Sequence, residues 1–164
     1  MKLQTYKEPI VWKPGMPLKP FDILEKEEVH ERRLLHRSVH LLVINEHGKV
    51  ICRRRSQNEQ RYPGLLTTTF GTHVGAGESY RVTLQKNIAA NIQAHWIGEF
   101  KVQDEHENEV CGLFVATRFC INNADALRFE EYDMQILNGM TNLTPHLIAS
   151  LQTAGKIRSG LDKV

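Results

Sequence analysis

The stretch Gly71-Thr-His-Val-Gly-Ala-Gly-Glu78-Ser79, together with the run from Tyr80 to Ala94, decides the fold prediction. Its three glycines allow a tight turn or a close approach of the backbone to an anion. The run that follows carries apolar side chains at helical spacing, namely Val82, Leu84, Ile88 and Ile92. We therefore predict a glycine-rich loop that leads into an amphipathic helix over residues 80–94.

Composition limits the class of protein. The 164 residues suffice for one domain with a sizeable core. The net charge of +2 is too small to indicate nucleic acid or an anionic membrane as a partner. No apolar run approaches the roughly 18 residues that span a bilayer. The first residues lack the apolar core of a signal peptide, so we expect a cytoplasmic protein.

The cysteines do not predict a structural framework. Cys52, Cys111 and Cys120 are odd in number and contain no C-x-x-C pair. Neither a set of disulfides nor a zinc knuckle is therefore indicated. We expect all three to be reduced thiols in the core.

Proline content and hydrophobic patterning divide the chain into three parts. Four of the six prolines lie in residues 1–20, so residues 1–27 are predicted to be an extended segment. A domain over 28–158 and a tail over 159–164 follow. Within the domain, periodicity and turn residues predict a hairpin of 38–44 with 49–55, strands at 65–70, 96–103 and 109–120, a helix near 129–138, and a last helix from Pro145 to about Thr153, capped by Thr144. Mixed strands with a central and a C-terminal helix predict an α/β (α+β) sandwich.

The glycine-rich loop and its helix resemble the Nudix box of diphosphate hydrolases. That box is a glycine, five residues, a glutamate, seven residues, then Arg-Glu-aliphatic-x-Glu-Glu-x-Gly. Glu78 matches the first glutamate, while Thr72 stands in the preceding glycine position. The remaining box positions are held by Lys86, Asn87, Ile88, Ala90 and Asn91. The resemblance implies a Nudix fold, a mixed β-sheet sandwich with a central box helix and a C-terminal helix.

Further segments are similar to the type I isopentenyl-diphosphate isomerases within that superfamily. They occur in the same order over roughly residues 28–150 and are Glu28–His30, Leu35–Asn45, Arg53–Ser56, Tyr62–Gly64, Glu107–Cys111 and Leu143–His146. A collinear series of this kind makes the resemblance specific, although the box itself is degenerate.

This resemblance implies a set of site residues. A divalent metal ion, Mg²⁺ or Mn²⁺, would be held by His36, His73, Glu107 and Glu109, with His30 as a further candidate. Arg55 and Lys86 would bind a diphosphate. The isomerase's catalytic cysteine falls at Phe70 or Gly71, where the chain has no thiol, so isomerase activity is not expected.

The residue types themselves support part of this picture. On a helix, positions 87, 90 and 91 would share one face, yet Asn and Ala cannot replace the carboxylates that Mg²⁺ prefers. On a strand, Glu107 and Glu109 would point to the same side, as two ligands of one ion must. Simpler explanations remain open: Glu78 as a helix cap, residues 104–109 as an exposed acidic loop, and Arg55 in an ordinary ion pair.

Two functional hypotheses follow, with a third ranked below them. The first is a hydrolase of a nucleoside-diphosphate-linked or other organic diphosphate, with Glu78, Glu107 and Glu109 as catalytic residues and weak or lost Mg²⁺-dependent turnover. The second is an inactive binding or regulatory module for a phosphorylated small molecule or a protein partner. The third is zinc or iron chemistry at the histidines and glutamates. A homodimer is compatible with each of them.

Overall fold

Nine strands and four helices are present in the part of the chain that the structure describes, residues 1–119 and 128–161 of a computed structural model. The strands are β1 (Lys2–Tyr6), β2 (Pro20–Glu25), β3 (His36–Ile44), β4 (Val50–Arg54), β5 (Leu66–Thr67), β6 (Phe70–His73), β7 (His95–Gln103), β8 (Asn108–Ala116) and β9 (Phe129–Tyr132). The helices are α1 (Lys26–Glu31), α2 (Tyr80–Asn87), α3 (Met134–Asn138) and α4 (Pro145–Leu161). Cys120, at the end of the predicted strand 109–120, lies outside the described residues.

A mixed seven-stranded sheet forms the centre of the fold. Its main path runs in the order β5-β4-β3-β8-β7, with β6 paired to β3 and β9 paired to β4. The β3–β8 pair is parallel and the other pairs are antiparallel. The predicted hairpin of β3 and β4 is confirmed, and Gly48 supplies the positive φ of 72° that its turn requires. The predicted mixed-sheet sandwich with a central and a C-terminal helix is likewise confirmed.

Alternation along β3 separates the two layers of the core. Leu42 belongs to a cluster that α3 and α4 cover, through Leu137, Leu147 and Leu151. Val39, Leu41 and Val43 face the opposite side and pack with Leu84 of α2. On the face of Leu42, the earlier positions His36, Ser38 and His40 are polar yet buried. One face of β3 therefore changes along its length from a polar site to an apolar core.

The proline-rich N-terminal segment contains a two-stranded antiparallel sheet, β1 with β2. Strand β1 is bonded to the rest of the domain at both ends, because Tyr6 N donates to Leu35 O at 2.9 Å and Ala76 N donates to Lys2 O at 3.0 Å. Leu3 is fully buried beside Gly75 of the glycine-rich loop. The segment thus packs against the loop that the sequence singled out.

The helix after this loop is shorter than the predicted 80–94. Ser79 caps α2 by accepting a hydrogen bond from Val82 N, but the backbone of Ile88 is already extended, with φ −114° and ψ 157°. Ile88 and Ile92 pack against the same core layer as Leu84 from outside the helix, whereas Val82 is exposed. The β-branched Ile88 reaches the core in an extended conformation, so the apolar spacing that suggested a longer helix has a different cause.

The segment near 129–138 also departs from the prediction. It begins with β9, which pairs with β4, and only then forms the short α3. Arg54 of β4 makes two hydrogen bonds to Glu130 of β9, at 2.5 and 2.8 Å, so a cross-strand ion pair favours the strand. The last helix begins as predicted, with Thr144 Oγ1 accepting from Leu147 N at 3.2 Å, and it extends beyond the predicted Thr153. Within the described ranges, no helix combines the length and the apolar character needed to cross a membrane.

Candidate metal and diphosphate site

A cavity of about 760 Å³ lies over the polar half of β3. Its walls come from α1, β4, β6 and the loop of residues 56–62, and the first turn of α4 also contributes. The buried inner end of the cavity gathers five histidines and two glutamates, namely His30, His36, His40, His73, His146, Glu107 and Glu109. Such a concentration of imidazole and carboxylate groups is the composition of a divalent-metal site.

Strand register explains how these side chains meet. In the parallel pair of β3 with β8, His36 lies opposite Glu109 and Ser38 lies opposite Cys111. In the antiparallel pair of β3 with β6, Ser38 also lies opposite His73. Side chains at alternate positions share a face, so both neighbours of β3 present polar groups to the same side. Residues far apart in sequence thereby converge on one carboxylate.

That carboxylate belongs to Glu109, and each of its oxygens has its own partners. Oε1 lies 3.1 Å from His36 Nε2 and 3.3 Å from His73 Nε2. Oε2 lies 2.8 Å from His146 Nε2 and accepts a hydrogen bond from Ser38 Oγ at 2.9 Å. Glu109 is therefore the centre of the cluster, and the predicted metal residues His36, His73 and Glu109 are brought together.

Glu107 and His30 complete the cluster on the side of α1. His30 Nε2 lies 3.0 Å from His73 Nε2, and His30 Nδ1 lies 3.5 Å from Glu107 Oε2. The other oxygen of Glu107 accepts from Arg61 at 3.0 Å. Glu107 Oε2 is buried and has no hydrogen-bond partner among the described residues, which is costly for a carboxylate. Glu105 and His106 are exposed, but Glu107 and Glu109 are buried, so the exposed acidic loop that the sequence left open does not include the two predicted metal ligands.

Charge in this buried network is unevenly distributed. Burial disfavours the charge of Glu109, but the hydrogen bonds from His146, His36 and His73 outweigh it and hold its pKa well below the usual range. Burial likewise opposes the charge of His36, yet the bond to Glu109 prevails and raises its pKa. For His73 burial prevails and lowers the pKa. Burial, with the nearby charge of His146, lowers the pKa of His40 to about 3. The site thus presents an ionised carboxylate at Glu109 and neutral rings at His40 and His73.

Basic residues line the outer part of the cavity. Strand alternation directs Arg53 and Arg55 toward it, while Arg54 points away and binds Glu130. Arg55 donates from Nε to Arg61 O at 2.8 Å, and its Nη2 lies 3.2 Å from Glu59 Oε1. The ion pair that the sequence left open for Arg55 is therefore present, and the side chain still faces the cavity. These arginines supply positive charge where an anionic ligand would enter.

Two of the predicted site residues lie elsewhere. Lys86 forms an ion pair with Glu78, whose other oxygen accepts from Thr83 Oγ1 at 2.6 Å. The bond from Lys86, with that from Thr83, lowers the pKa of Glu78. Neither Glu78 nor Lys86 lines the cavity described above. The helix cap is Ser79 rather than Glu78, and Ala90 and Asn91 lie beyond the end of α2. Lys86, which the sequence suggested for diphosphate binding, instead neutralises the one carboxylate retained from the Nudix box.

Sequence reasoning missed several members of the cluster. Ser38 and His40 could have been found, because they follow His36 at alternate positions of a predicted strand. Arg61, in the loop of residues 56–62, is not among the residues that the sequence predicted for the site. Cys111 was assigned to the core, and His146 carried no signal beyond its place at the start of the last helix. His30, a further candidate ligand in the sequence, contacts His73 directly.

Gly71, one of the two positions matched to the isomerase's cysteine, lies close to another side chain. A Cβ on Gly71 would lie 2.7 Å from both Cε1 and Nδ1 of the His40 ring. A cysteine at this position would therefore require His40 to move. The predicted absence of isomerase chemistry stays a prediction, and this contact is a physical reason for it.

Comparison with known proteins agrees with the fold. No protein-family model matches the chain. It is 26% identical over 114 residues to an uncharacterized Nudix hydrolase of Yersinia pestis, a match that covers 66% of this chain and 60% of that protein. It is 30% identical over 93 residues to an isopentenyl-diphosphate Delta-isomerase of Paenarthrobacter aurescens, with 50% of each chain covered. The chain thus spans about half to three fifths of the length of these relatives.

Solved structures give the same answer for the fold. A Deinococcus radiodurans protein superposes with a TM-score of 0.63 at 15% identity, over 88% of this chain and 93% of that one. A MutT Nudix hydrolase of Burkholderia pseudomallei superposes with a TM-score of 0.57 at 13% identity, over 73% of this chain and 97% of that one. The chain therefore has the Nudix fold, and the curated proteins that it resembles include a Nudix hydrolase.

Proposed function

We propose that the protein acts on an organic diphosphate, such as a nucleoside diphosphate linked to a second group, at a divalent metal ion bound by the histidine–glutamate cluster. The convergence of His36, His73 and Glu109 beneath an arginine-lined cavity carries this proposal. The helix of the Nudix box would have no part in metal binding. This division of roles fits the neutral residues of that helix and the pairing of Glu78 with Lys86.

The residues present fit such an ion. Atoms of His30, His36 and His73, and of His36, Glu107 and Glu109, lie within 4.8 Å of one another in two overlapping groups. A cation would also supply a partner for Glu107 Oε2, which makes no hydrogen bond among the described residues. Mixed imidazole and carboxylate ligands suit Mn²⁺ or a later transition metal better than Mg²⁺. When bound, the ion would neutralise charge on phosphoryl oxygens and lower the pKa of a coordinated water.

The chain's own groups account for the remaining requirements of a diphosphate. Arg55, with Arg53 beside it, lies where it can donate charge-assisted hydrogen bonds to phosphate oxygens. Arg61 fixes the orientation of Glu107 through a hydrogen bond to Oε1. The cavity walls limit access of bulk water to the buried carboxylates. The second candidate, a binding module without turnover, is favoured by the same neutral helix and differs only in the absence of a chemical step.

Substitution of Arg55 tests the diphosphate part of the proposal. We expect Arg55→Gln to weaken binding of inorganic diphosphate about 10–100-fold in the presence of Mn²⁺, because a charge-assisted hydrogen bond contributes about 1.5–3 kcal/mol. The matched control is Arg54→Gln, since Arg54 precedes Arg55 but binds Glu130 on the other face. Isothermal titration calorimetry measures the diphosphate affinity of both variants. The titrations are then repeated with a nucleoside-diphosphate sugar.

Two results would contradict this proposal. An equal loss in Arg54→Gln would show that general positive charge, and not the cavity, attracts the ligand. Diphosphate binding that persists unchanged in chelator would remove the metal ion from the proposal and favour the binding module.

Restoring the box glutamates should leave activity unchanged. We expect Asn87→Glu combined with Asn91→Glu to give no Mg²⁺-dependent turnover near about 1 s⁻¹, because α2 ends at Asn87 and residue 91 lies outside the helix. Release of nucleoside monophosphate and sugar phosphate from a nucleoside-diphosphate sugar measures this, with the unmodified protein as the reference. Clear rescue by the double substitution would indicate a recently decayed Nudix box and contradict the cluster as the site.

A further inference from the structure

Four buried side chains at the inner end of the cavity form a group that does not include the proposed metal ligands His36, His73 and Glu107. They are His40, Glu109, Cys111 and His146, and one potential ligand atom from each lies within 4.8 Å of the others. Of these, only Glu109 belongs to the metal set discussed above. We propose that these residues form a second metal position, for Zn²⁺ or another thiophilic transition metal, with Glu109 bridging the two. This second position does not require the diphosphate chemistry proposed above. It shares only Glu109 with the first metal position.

The two oxygens of Glu109 divide the cluster in a way that suits a bridge. Oε1 faces His36 and His73, whereas Oε2 faces His146 at 2.8 Å and lies 3.7 Å from Cys111 Sγ. A carboxylate can bind two ions through its separate oxygens. Each oxygen here already has a different pair of donors, so a second ion would need no rotation of Glu109.

Hydrogen bonds around His40 prepare one of its nitrogens as a ligand. Thr68 Oγ1 donates its only proton to Phe70 O at 3.2 Å, so it accepts from His40 Nδ1 at 2.8 Å. This bond assigns the proton of the ring to Nδ1 and leaves a lone pair on Nε2. A histidine that binds a metal is commonly fixed in this manner by a hydrogen bond from its other nitrogen.

The lone pair on His40 Nε2 points into the polar centre of the group. Its neighbour there is Ser38 Oγ at 3.3 Å, which has one proton and lies closer to the carboxylate of Glu109, at 2.9 Å. An ionised carboxylate is the stronger acceptor, so that proton is directed to Glu109. A buried nitrogen lone pair is then left facing an oxygen lone pair, which a cation would relieve.

The donor types select the metal. Two imidazole nitrogens, a thiolate and a carboxylate oxygen form a four-ligand set of the kind found around Zn²⁺, and a thiolate is a poor ligand for Mg²⁺. Cys111 is a thiol in the metal-free protein, and binding of the ion would release its proton to solvent. Cys111 lies opposite Ser38 in the sheet, so its Sγ is held at the position the set requires.

Cobalt provides a direct test, because a thiolate bound to Co²⁺ gives a charge-transfer absorption band in the near ultraviolet that oxygen and nitrogen ligands do not give. The reduced, metal-free protein is titrated with Co²⁺, and bound metal is measured by equilibrium dialysis. We expect two equivalents per chain and the thiolate band. Cys111→Ser should bind one equivalent and lose the band, while the matched control Cys52→Ser, another fully buried thiol, should keep both.

Two further variants separate this inference from the proposed function. His36→Gln removes a ligand of the other position only, so it should lose one equivalent and retain the band. His146 lies at the cavity wall, so His146→Gln serves as a second variant if Cys111→Ser fails to fold. We expect it to weaken the Co²⁺ affinity of the position that gives the thiolate band at least 10-fold. Binding of one equivalent without a thiolate band, or a band that persists in Cys111→Ser, would overturn the second position. If only one equivalent bound and it gave the thiolate band, metal would occupy the second position alone. That result would contradict the proposed function instead.

Discussion

We expect Glu109→Gln to weaken Mn²⁺ binding by at least about 100-fold. Loss of a hydrogen-bond partner behind a metal ligand already costs about 10–100-fold in affinity, and Glu109 lies within the cluster itself. Its carboxylate contacts His36, His73 and His146, and a neutral amide cannot supply the charge that balances a divalent ion. Calorimetric titration of the metal-stripped protein with Mn²⁺, and then with Zn²⁺, measures the change.

The matched control for this substitution is Glu78→Gln. Glu78 is the one carboxylate retained at a Nudix-box position, but it pairs with Lys86 away from the cavity. Its substitution should therefore leave metal affinity within about twofold. If Glu78→Gln abolished binding and Glu109→Gln did not, the ion would belong to the glycine-rich loop, and the cluster would be a buried hydrogen-bond network.

The second large effect concerns the stability of the metal-free protein in acid. His40 is neutral in the folded state down to a pKa of about 3, because burial and the charge of His146 oppose its protonation, whereas an unfolded histidine protonates near 6.5. Between about pH 6.5 and 3, this histidine therefore binds up to one more proton in the unfolded chain than in the folded chain. Folding stability falls with decreasing pH, and the contribution of this group is at most about 5 kcal/mol by pH 3, at about 1.4 kcal/mol per pKa unit.

We expect His40→Gln to flatten this part of the pH profile. A glutamine amide cannot be protonated in this range and can still donate to Thr68 Oγ1. Urea unfolding in chelator at several pH values between 7 and 4 measures the difference between the variant and the parent. The lowered pKa of Glu109 also removes stability as pH falls below about 4.5, but that contribution is present in both proteins.

An exposed histidine serves as the control for the acid experiment. His47 lies in the turn between β3 and β4 with 73% of its side chain exposed, so His47→Gln should leave the slope of stability against pH unchanged. If His40→Gln and the parent protein gave parallel profiles, His40 would be protonated in the folded state and the assignment of its neutral form would be wrong.

The parts of the fold that local patterning controls could be predicted from the sequence. The β3–β4 hairpin follows from alternation and an Asn-Glu-His-Gly turn, and the start of α4 follows from Thr144 before Pro145. The end of α2 could not be predicted, because Ile88 and Ile92 satisfy helical spacing and also reach the core from an extended backbone. Nor could β9, whose conformation depends on pairing with a strand about 80 residues earlier.

The residues of the candidate site likewise divide into those that the sequence predicts and those that it does not. The resemblance to a known family implied all four predicted metal ligands, which are His36, His73, Glu107 and Glu109. The spacing of the two glutamates added the prediction that they point to one side of a strand. Cys111 and His146 reach the same point only through the parallel register of β3 with β8 and the docking of α4. Such long-range contacts leave no mark in the local pattern of residues.

The central position of β3 ties the integrity of the candidate site to the folding of the sheet. A shift of β3 by one residue against β8 would turn His36, Ser38 and His40 toward Leu84, and would turn Val39 and Leu41 toward the glutamates. Burying polar rings among aliphatic side chains is costly, so the hydrophobic core rejects this alternative. The side chains of β3 and β8 that would bind an ion are therefore already aligned once the sheet has formed. Binding then requires little rearrangement of these side chains.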